Sequence, residues 1–341
     1  MGPITSKSKG TVAGRALPAA APFLPVSFIL TIEVRYVIIF LLLGLLTLLL
    51  VIFSFYYIRD LYRYRRYLGP GHVGVNLLIG FIADTLDVFG IGSFATTTML
   101  LNATRQLRQD RLLPGTLNVA FTIPVILEAH IFIKHIEVEP LTLFSLIFAA
   151  VVGAVVGGRL VPKLSEQKVQ LYLGLALLVT ALLMFCKQAG LIEWLGTGNT
   201  AVGLTGGKLM LAIVLNGIFG ALMTLGCGLY APCMVMVFML GLNPLVAFPI
   251  MMGSAAALMP VAGRAFIKAG SYERKISLCF TLSGIVAVLI ATNFVLNMDV
   301  HLLAWGIIVV VLYTSISYVR KGLKKRVPAA EASGLVSKKA L

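Results

Sequence analysis

The chain has 341 residues, of which 59% are hydrophobic and only 12% are charged, and its formal net charge is +15. This composition indicates an integral membrane protein and argues against a soluble enzyme or a nucleic-acid-binding domain. Basic residues between the apolar runs are typical of loops that contact anionic lipid headgroups. No Cys and His residues have the spacing of metal ligands, so we predict neither a metal site nor a cofactor.

The predicted elements begin with a disordered tail over residues 1–35 and an extra transmembrane helix over 36–58. Two broken apolar segments follow at 74–102 and 207–240. A basic tail over 321–341 ends the chain. Uninterrupted spans are predicted near 115–135, 140–161, 168–189, 244–268, 275–297 and 301–319.

Each broken segment contains two glycines around one residue, Gly90 and Gly92 in the first and Gly226 and Gly228 in the second. Glycine is unfavourable inside a helix, so each pair predicts an unwound point. Lipid cannot satisfy the freed backbone groups, which restricts such breaks to places enclosed by protein. Two matching breaks in the two halves of one chain are typical of a transporter binding site.

The distribution of Lys and Arg predicts the orientation of the spans. Basic loops lie on the cytoplasmic side, together with the C-terminus, and the N-terminus lies outside. With this topology, 74–102 begins and ends on the cytoplasmic side, and 207–240 begins and ends outside. The arm after each break has only about ten residues, roughly 15 Å of helix, which is half of the hydrocarbon thickness. Both segments are therefore predicted to be re-entrant hairpins.

The two halves also align. The sequence from Ser145 to Phe148 matches that from Ser277 to Phe280, and Lys134 matches Lys268 although the two lysines are predicted on opposite sides. The predicted fold is an all-α polytopic membrane protein with an inverted repeat. Each repeat, 74–189 and 207–320, consists of a re-entrant hairpin and three transmembrane helices, and the extra helix precedes them.

The second hairpin resembles a known family. It has Gly217, Gly220, Gly226, Gly228 and Pro232, followed by Gly241 and Pro244. This pattern is similar to the glycine-rich repeat of the TauE/SafE sulfite exporter family, also called the toluene-sulfonate uptake permease family. The first hairpin is a looser match, with Thr96 in place of the proline and with Asp84 and Asp87 where small or apolar residues are common. The resemblance covers about residues 74–320 and implies transport of sulfite, sulfonates or other sulfur-containing anions.

The breaks are the predicted substrate site. Short arms begin there, at Ser93 and Leu229, and free N–H groups at a helix N-terminus favour an anion. Glycine permits close approach of the backbone, and hydroxyl groups add donors. The candidate substrate-binding residues are Gly90, Gly92, Ser93, Thr96, Thr97, Gly226, Cys227, Gly228 and Tyr230. Close helix packing is the alternative explanation of the glycines.

Acidic and basic residues within the spans are candidates for coupling or gating. Asp84 and Asp87 lie three residues apart on one helical face and suit proton coupling, although they also suit a pairing near the membrane edge. Glu128 with His130 suits a proton relay or gate, and Arg264 suits attraction of an anion at the cytoplasmic mouth. Interfacial snorkelling is the alternative for His130.

These patterns predict a secondary transporter of the inner (cytoplasmic) membrane for a small anion, and the family resemblance implies a sulfur-containing one, sulfite or an organosulfonate. We expect alternating access, coupling to protons with sodium as the alternative, and export, the direction that the resemblance implies. A passive anion channel and a small-carboxylate transporter remain open. An intramembrane enzyme is disfavoured because the chain has no catalytic motif. The extra helix is a candidate homodimer interface, although lipid would cover it equally well.

Overall fold

A computed structural model describes residues 26–66, 68–69, 71–107, 109–160, 166–189, 200–223 and 228–323. Within these ranges the chain is all-helical, as predicted for a polytopic membrane protein, and it contains no strand. The eleven α-helices of the described residues are α1 (Val26–Arg63), α2 (Val73–Val88), α3 (Ser93–Thr104), α4 (Leu113–His135), α5 (Pro140–Leu160), α6 (Glu166–Gln188), α7 (Gly206–Met223), α8 (Tyr230–Met239), α9 (Ala247–Ala269), α10 (Arg274–Leu296) and α11 (Val300–Leu323).

Helix α1 is longer than predicted at both ends. It begins at Val26, so residues 26–35, which the sequence analysis included in the disordered tail, are helical. The error has a simple cause: Glu33 and Arg35 interrupt the apolar run and hide the apolar residues before them. The rest of the predicted N-terminal tail, and the C-terminal tail beyond Leu323, lie outside the described residues.

Six helical segments of the described part are long and apolar enough to cross a membrane. They are Tyr36–Arg63, Leu113–His135, Gly206–Met223, Pro244–Ala269, Arg274–Leu296 and Leu302–Leu323. Five of them correspond to predicted spans, and the sixth, Gly206–Met223, is the first arm of the predicted second hairpin. Its 18 residues extend over about 27 Å, so its length alone suits either a span or a hairpin arm. Two predicted spans, in α5 and α6, have shorter described apolar stretches, Pro140–Val156 and Gln170–Cys186.

Helices α4 and α9 form the centre of the molecule. Their apolar windows are 72% and 78% buried, against 17% in α1 and α7, which leaves the latter two at the periphery. The rings of Phe132 in α4 and Phe248 in α9 lie 5.1 Å apart, and Phe121 stacks on Phe280 of α10 at 5.7 Å. The side chain of Glu128, within α4, is fully buried.

Small residues let the helices pack in close pairs, as is common in membrane proteins. The close pairs are α2 with α10, α4 with α9, α5 with α7, and α6 with α11. A Cβ added to Gly153 of α5 would run into the backbone of Gly217 of α7, and one added to Gly80 of α2 would run into Phe280 of α10. In α6, a Cβ on Gly174 would approach the backbone nitrogen of Val319 to 2.8 Å.

Candidate functional site

The first helix break lies between Val88 and Ser93, where the glycine pair predicted it. Gly90 and Gly92 have φ angles of +85° and +88°, a backbone region that residues with a side chain rarely adopt. The two glycines differ in their surroundings. A Cβ on Gly90 would run into the terminal methyl group of Met234 in α8, whereas one on Gly92 would have no heavy atom within 4 Å. The break is thus packed on one side and has open space at its second glycine.

The carboxylate of Asp87 caps helix α3. The backbone N–H of Ser93 donates a hydrogen bond of 2.5 Å to Oδ1 of Asp87, and both residues are buried. Gly92 has no side chain with which to cap the helix, so the carboxylate from the end of α2 supplies the acceptor. A negative charge at this position is favourable because it faces the positive end of the helix dipole.

The second helix break meets the first at this same carboxylate. Tyr230 is the first residue of α8, and its hydroxyl donates a hydrogen bond of 3.3 Å to Oδ2 of Asp87. Asp87 therefore joins the start of α3 to the start of α8, with one oxygen for each. The remaining residues of the second break include Gly226 and Cys227, which lie outside the described residues.

The N–H of Gly228 donates a hydrogen bond of 2.5 Å to the hydroxyl of Tyr318 in α11. This contact fixes the end of the second break to the α6 and α11 pair. The sequence analysis did not identify Tyr318, because an aromatic residue near the end of a span is usually an interfacial anchor.

Two further buried acids belong to the same cluster. Asp84 and Glu128 are fully buried, and none of their four carboxyl oxygens has a hydrogen-bond partner. Electrostatic interactions connect Glu128 with both aspartates and connect Tyr230 with all three acids. We call Asp84, Asp87 and Glu128 the acid cluster.

Helices α4 and α10 enclose Asp84 of the acid cluster. A Cβ on Gly284 of α10 would run into the carboxyl group of Asp84 and would lie 2.9 Å from Cγ of Pro124 in α4. No basic side chain of the described residues forms an ion pair with the cluster, since the Asp60–Arg274 ion pair lies elsewhere. An ionised carboxylate that is buried without a partner is strongly unfavourable, so these side chains are suited to carrying protons or facing a cation.

No group of three or more His, Cys, Asp or Glu residues in the described part of the chain has the arrangement of a metal site.

The hydroxyl groups of α3 add polar atoms beside the first break. Thr97 is fully buried and its Oγ1 has no partner, whereas Oγ1 of Thr96 lies 3.5 Å from the carbonyl oxygen of Gly92.

Two of the predicted gating residues contact helix α1 instead of the acid cluster. The ring of His130 has its Nδ1 2.9 Å from the carbonyl oxygen of Ile126 and its Nε2 2.9 Å from Oγ1 of Thr47 in α1. Arg264 donates a hydrogen bond of 3.0 Å to the hydroxyl of Tyr56 in α1, and its guanidinium group lies over the ring of Tyr56. Both side chains therefore attach the extra helix to the central pair of helices.

Asn216, a polar residue of α7, also acts between helices. Its Nδ2 donates to the carbonyl oxygen of Leu146 at 2.7 Å and to Oγ of Ser254 at 3.2 Å, which connects α7 to α5 and α9. A lone Asn in an apolar helix gives no signal that separates such a bridge from a substrate contact.

The chain matches no protein-family model, and comparisons with curated proteins and with solved structures found no significant match.

Proposed function

We propose that this protein is a proton-coupled secondary transporter that moves a small sulfur-containing anion, sulfite or an organosulfonate, across the cytoplasmic membrane. The observation that carries the proposal is the position of Asp87, a buried carboxylate that accepts hydrogen bonds from the residues after both helix breaks. Protonation removes the charge of a carboxylate and turns one of its acceptor oxygens into a donor. A proton on Asp87 would therefore change the contact between two elements that must move relative to each other.

The proposed mechanism includes an inverted repeat in which α2–α6 correspond to α7–α11. The close helix pairs support this proposal, because exchanging the two sets leaves the list of pairs unchanged. In this correspondence α4 matches α9 and α6 matches α11, so each of these two pairs joins a helix to its own counterpart. Helices α2 and α10 match α7 and α5, so those two pairs are counterparts of each other. In this proposal α2 with α3 and α7 with α8 are re-entrant hairpins, and the repeats alternately open the site to each side.

A small anion fits the proposal through neutral donors. Helices α3 and α8 both begin at the site, and their N-terminal N–H groups and dipoles favour a negative charge. The choice of a sulfur oxyanion and of the export direction depends on the resemblance of the second glycine-rich segment to the TauE/SafE family. A small carboxylate has the same charge and the same pair of acceptor oxygens, so it is the nearest alternative substrate.

The acid cluster favours a second candidate, a proton-coupled transporter of a small cation. Three buried acids without an ion-pair partner among the described residues offer counter-charges to a cation. In that case the carboxylates bind the substrate directly and must lose their protons to do so. In the anion transporter the same side chains must gain protons, so the two candidates predict opposite effects of acid on substrate binding.

Counterflow in proteoliposomes tests the proposal. Purified protein is reconstituted, the vesicles are loaded with unlabelled sulfite or methanesulfonate, and the uptake of the same radiolabelled anion is measured with and without a pH gradient. We expect counterflow that acidification stimulates. The matched control variant is Thr314→Val, which removes a buried hydroxyl without a partner from α11, outside the cluster.

The result also separates the alternatives. Anion flux without stimulation by unlabelled anion on the opposite side would indicate a passive channel and overturn the coupled mechanism. Labelled sodium or a small organic cation that shows counterflow, inhibited by acid, would favour the second candidate. No flux of any of these solutes in folded protein would remove transport of small ions as the function.

A further inference from the structure

We propose that the N–H of Ser93 and the hydroxyl of Tyr230 form a two-donor oxyanion site, which the carboxylate of Asp87 occupies until Asp87 is protonated and a small external oxyanion replaces it. The inference deepens the proposed function and rests on it, because it concerns the substrate site of the same transporter. It goes further by identifying the two donors, the internal occupant and the order of events.

The geometry supports an internal anion at this site. The two oxygens of Asp87 divide the donors between them, with Oδ1 receiving the Ser93 N–H at 2.5 Å and Oδ2 receiving the Tyr230 hydroxyl at 3.3 Å. An external carboxylate or sulfonate also presents two oxygens on one atom, and it can therefore accept both hydrogen bonds in the same way.

A second observation points to a ligand at this place. Next to the two satisfied donors lie buried polar atoms with no partner: both carboxyl oxygens of Asp84, both of Glu128, and Oγ1 of Thr97. Buried polar atoms in folded proteins are nearly always hydrogen-bonded, so a group of five without partners at one helix break requires an explanation. A bound oxyanion would accept hydrogen bonds from the Thr97 hydroxyl and from protonated Asp84 or Glu128.

Space for the ligand exists on one side of the break. Met234 of α8 blocks the position beside Gly90, whereas the position beside Gly92, directly before Ser93, is open and Gly92 is half-buried. We therefore place the approach of the anion on the Gly92 side of the break.

The charges around Asp87 determine whether its neighbours Asp84 and Glu128 must be protonated. The groups that face Asp87 are Asp84 on its own helix, Glu128 on α4, Tyr230 on α8, and both the backbone N–H and the hydroxyl of Ser93 on α3. Helix α10 places Gly284, which has no charge, against Asp84. An external anion beside ionised Asp84 or Glu128 would be repelled, so both must carry protons when the anion binds.

Exchange of one anion for another conserves charge. When Asp87 gains one proton, it becomes a neutral acid and releases the two donors, and one monovalent oxyanion takes its place. Binding thus takes up one proton and one anion together, so that the site keeps its net charge. This order couples one proton to one small anion moving in the same direction, and among the described residues it needs no lysine or arginine beside the acid cluster.

Binding of methanesulfonate and acetate to the purified protein, measured by titration calorimetry between about pH 5 and pH 9, tests the inference. Methanesulfonate keeps its charge throughout this range. In the wild type, uptake of a proton by Asp87 contributes about a tenfold loss of affinity for each pH unit above its pKa. In Asp87→Asn the donors need no proton to become free, so the slope of log affinity against pH should be smaller by about one.

Tyr230→Phe and Thr314→Val complete the set. Tyr230→Phe removes one donor and should lower the affinity for both anions about tenfold at the acidic end of the range, where protonated Asp87 has already released the donors. At alkaline pH the loss should be smaller, because ionised Asp87 loses the same donor. Thr314→Val should behave as the wild type. If Asp87→Asn does not fold, an unchanged affinity in Tyr230→Phe overturns the two-donor site on its own.

The outcomes separate the inference from the proposed function. Wild-type counterflow of the anion combined with an unchanged slope in Asp87→Asn overturns the inference and leaves the transporter. Anion binding with the predicted change in slope, but without counterflow in any variant, supports the site and overturns transport. No binding of either anion by the wild type or by Asp87→Asn overturns both.

Discussion

The hydroxyl of Tyr230 at the start of α8 donates a hydrogen bond to the carboxylate of Asp87 at the end of α2. These residues are 143 positions apart in the chain, and each stands next to a helix break. Because Asp87 also accepts the first N–H of α3, a single side chain coordinates three helix ends. The residues that follow the two breaks therefore meet at one carboxylate.

Removal of the Tyr230 hydroxyl should weaken the link between the two breaks. In Tyr230→Phe the carboxylate of Asp87 keeps the Ser93 N–H but loses its second donor. We expect a lower melting temperature, corresponding to about 1 kcal/mol of stability, since this is the typical net contribution of one buried hydrogen bond. Thermal unfolding in detergent measures the change.

Tyr313→Phe is the matched control, because Tyr313 is an exposed tyrosine of α11. It should leave the melting temperature unchanged. Equal melting temperatures of the wild type and Tyr230→Phe would mean that the hydrogen bond to Asp87 does not contribute to stability.

The acid cluster should carry the coupling of transport to protons. In Asp84→Asn and Glu128→Gln the side chains keep their shape but can no longer gain or lose a proton. Since none of the carboxyl oxygens has a hydrogen-bond partner, we expect folding to be retained. Anion counterflow should persist in both variants, and stimulation by a pH gradient should be reduced but not abolished, because Asp87 can still take up a proton.

A suitable control is Glu137→Gln, which changes an exposed acid just after α4 and should retain the full response to pH. Full stimulation in both Asp84→Asn and Glu128→Gln would exclude these two acids from coupling and leave Asp87 as the remaining candidate.

The glycine pair shows how much of this site the sequence predicts. Two glycines around one apolar residue in a membrane span predict a local break, and the break lies where they stand. The association of Asp87 with Tyr230 was not predictable, because it depends on how α2 and α8 are placed in space. The same holds for His130 and Arg264. Their residue types suit a proton relay and the attraction of an anion at the cytoplasmic mouth, but their side chains contact α1.

The boundaries of α1 illustrate a different limit. Hydropathy defines where a helix can be buried in lipid, and the predicted span of 36–58 follows that criterion. Glu and Arg are good helix formers, so the charged residues that end the apolar run do not end the helix, and α1 extends from Val26 to Arg63. The acid cluster is an intermediate case: intramembrane acids are a strong signal of function, but their grouping around one helix break required the fold.

The two glycines of the first break should differ in their tolerance of a methyl group. Both have a positive φ, so alanine at either position costs about 1–3 kcal/mol in backbone strain. At Gly90 the added Cβ also meets the methyl group of Met234, and overpacking adds about 1–3 kcal/mol. Gly90→Ala should therefore lower the melting temperature more than Gly92→Ala.

A rescue variant isolates the packing contribution. Met234→Ala removes the side chain that the new methyl group would meet, so the double variant Gly90→Ala/Met234→Ala should lose less stability than the two single variants predict together. Strictly additive changes in melting temperature would contradict the contact between the first break and α8.

Helix α1 should depend on a polar anchor at the end of α9 and the start of α10. Asp60 of α1 accepts hydrogen bonds from the hydroxyl of Tyr272 at 2.6 Å and from Nε of Arg274 at 2.7 Å, and the guanidinium group of Arg274 lies over the ring of Tyr64. Burial and the hydrogen bond to Asp60 raise the pKa of Tyr272 above its ordinary value. The folded protein thus holds the phenol proton more tightly than the unfolded chain does.

The raised pKa of Tyr272 determines how the free energy of unfolding changes with pH. Above about pH 10 an unfolded tyrosine loses its proton while Tyr272 in the folded state retains it, so the free energy of unfolding should fall as pH rises through that range. In Tyr272→Phe this loss should be smaller because one titrating phenol is removed, although the variant is less stable at neutral pH by about 1 kcal/mol because Asp60 loses a donor. Chemical unfolding at a series of alkaline pH values measures both effects. A wild type and a Tyr272→Phe variant with the same alkaline slope would show that Tyr272 does not titrate with folding.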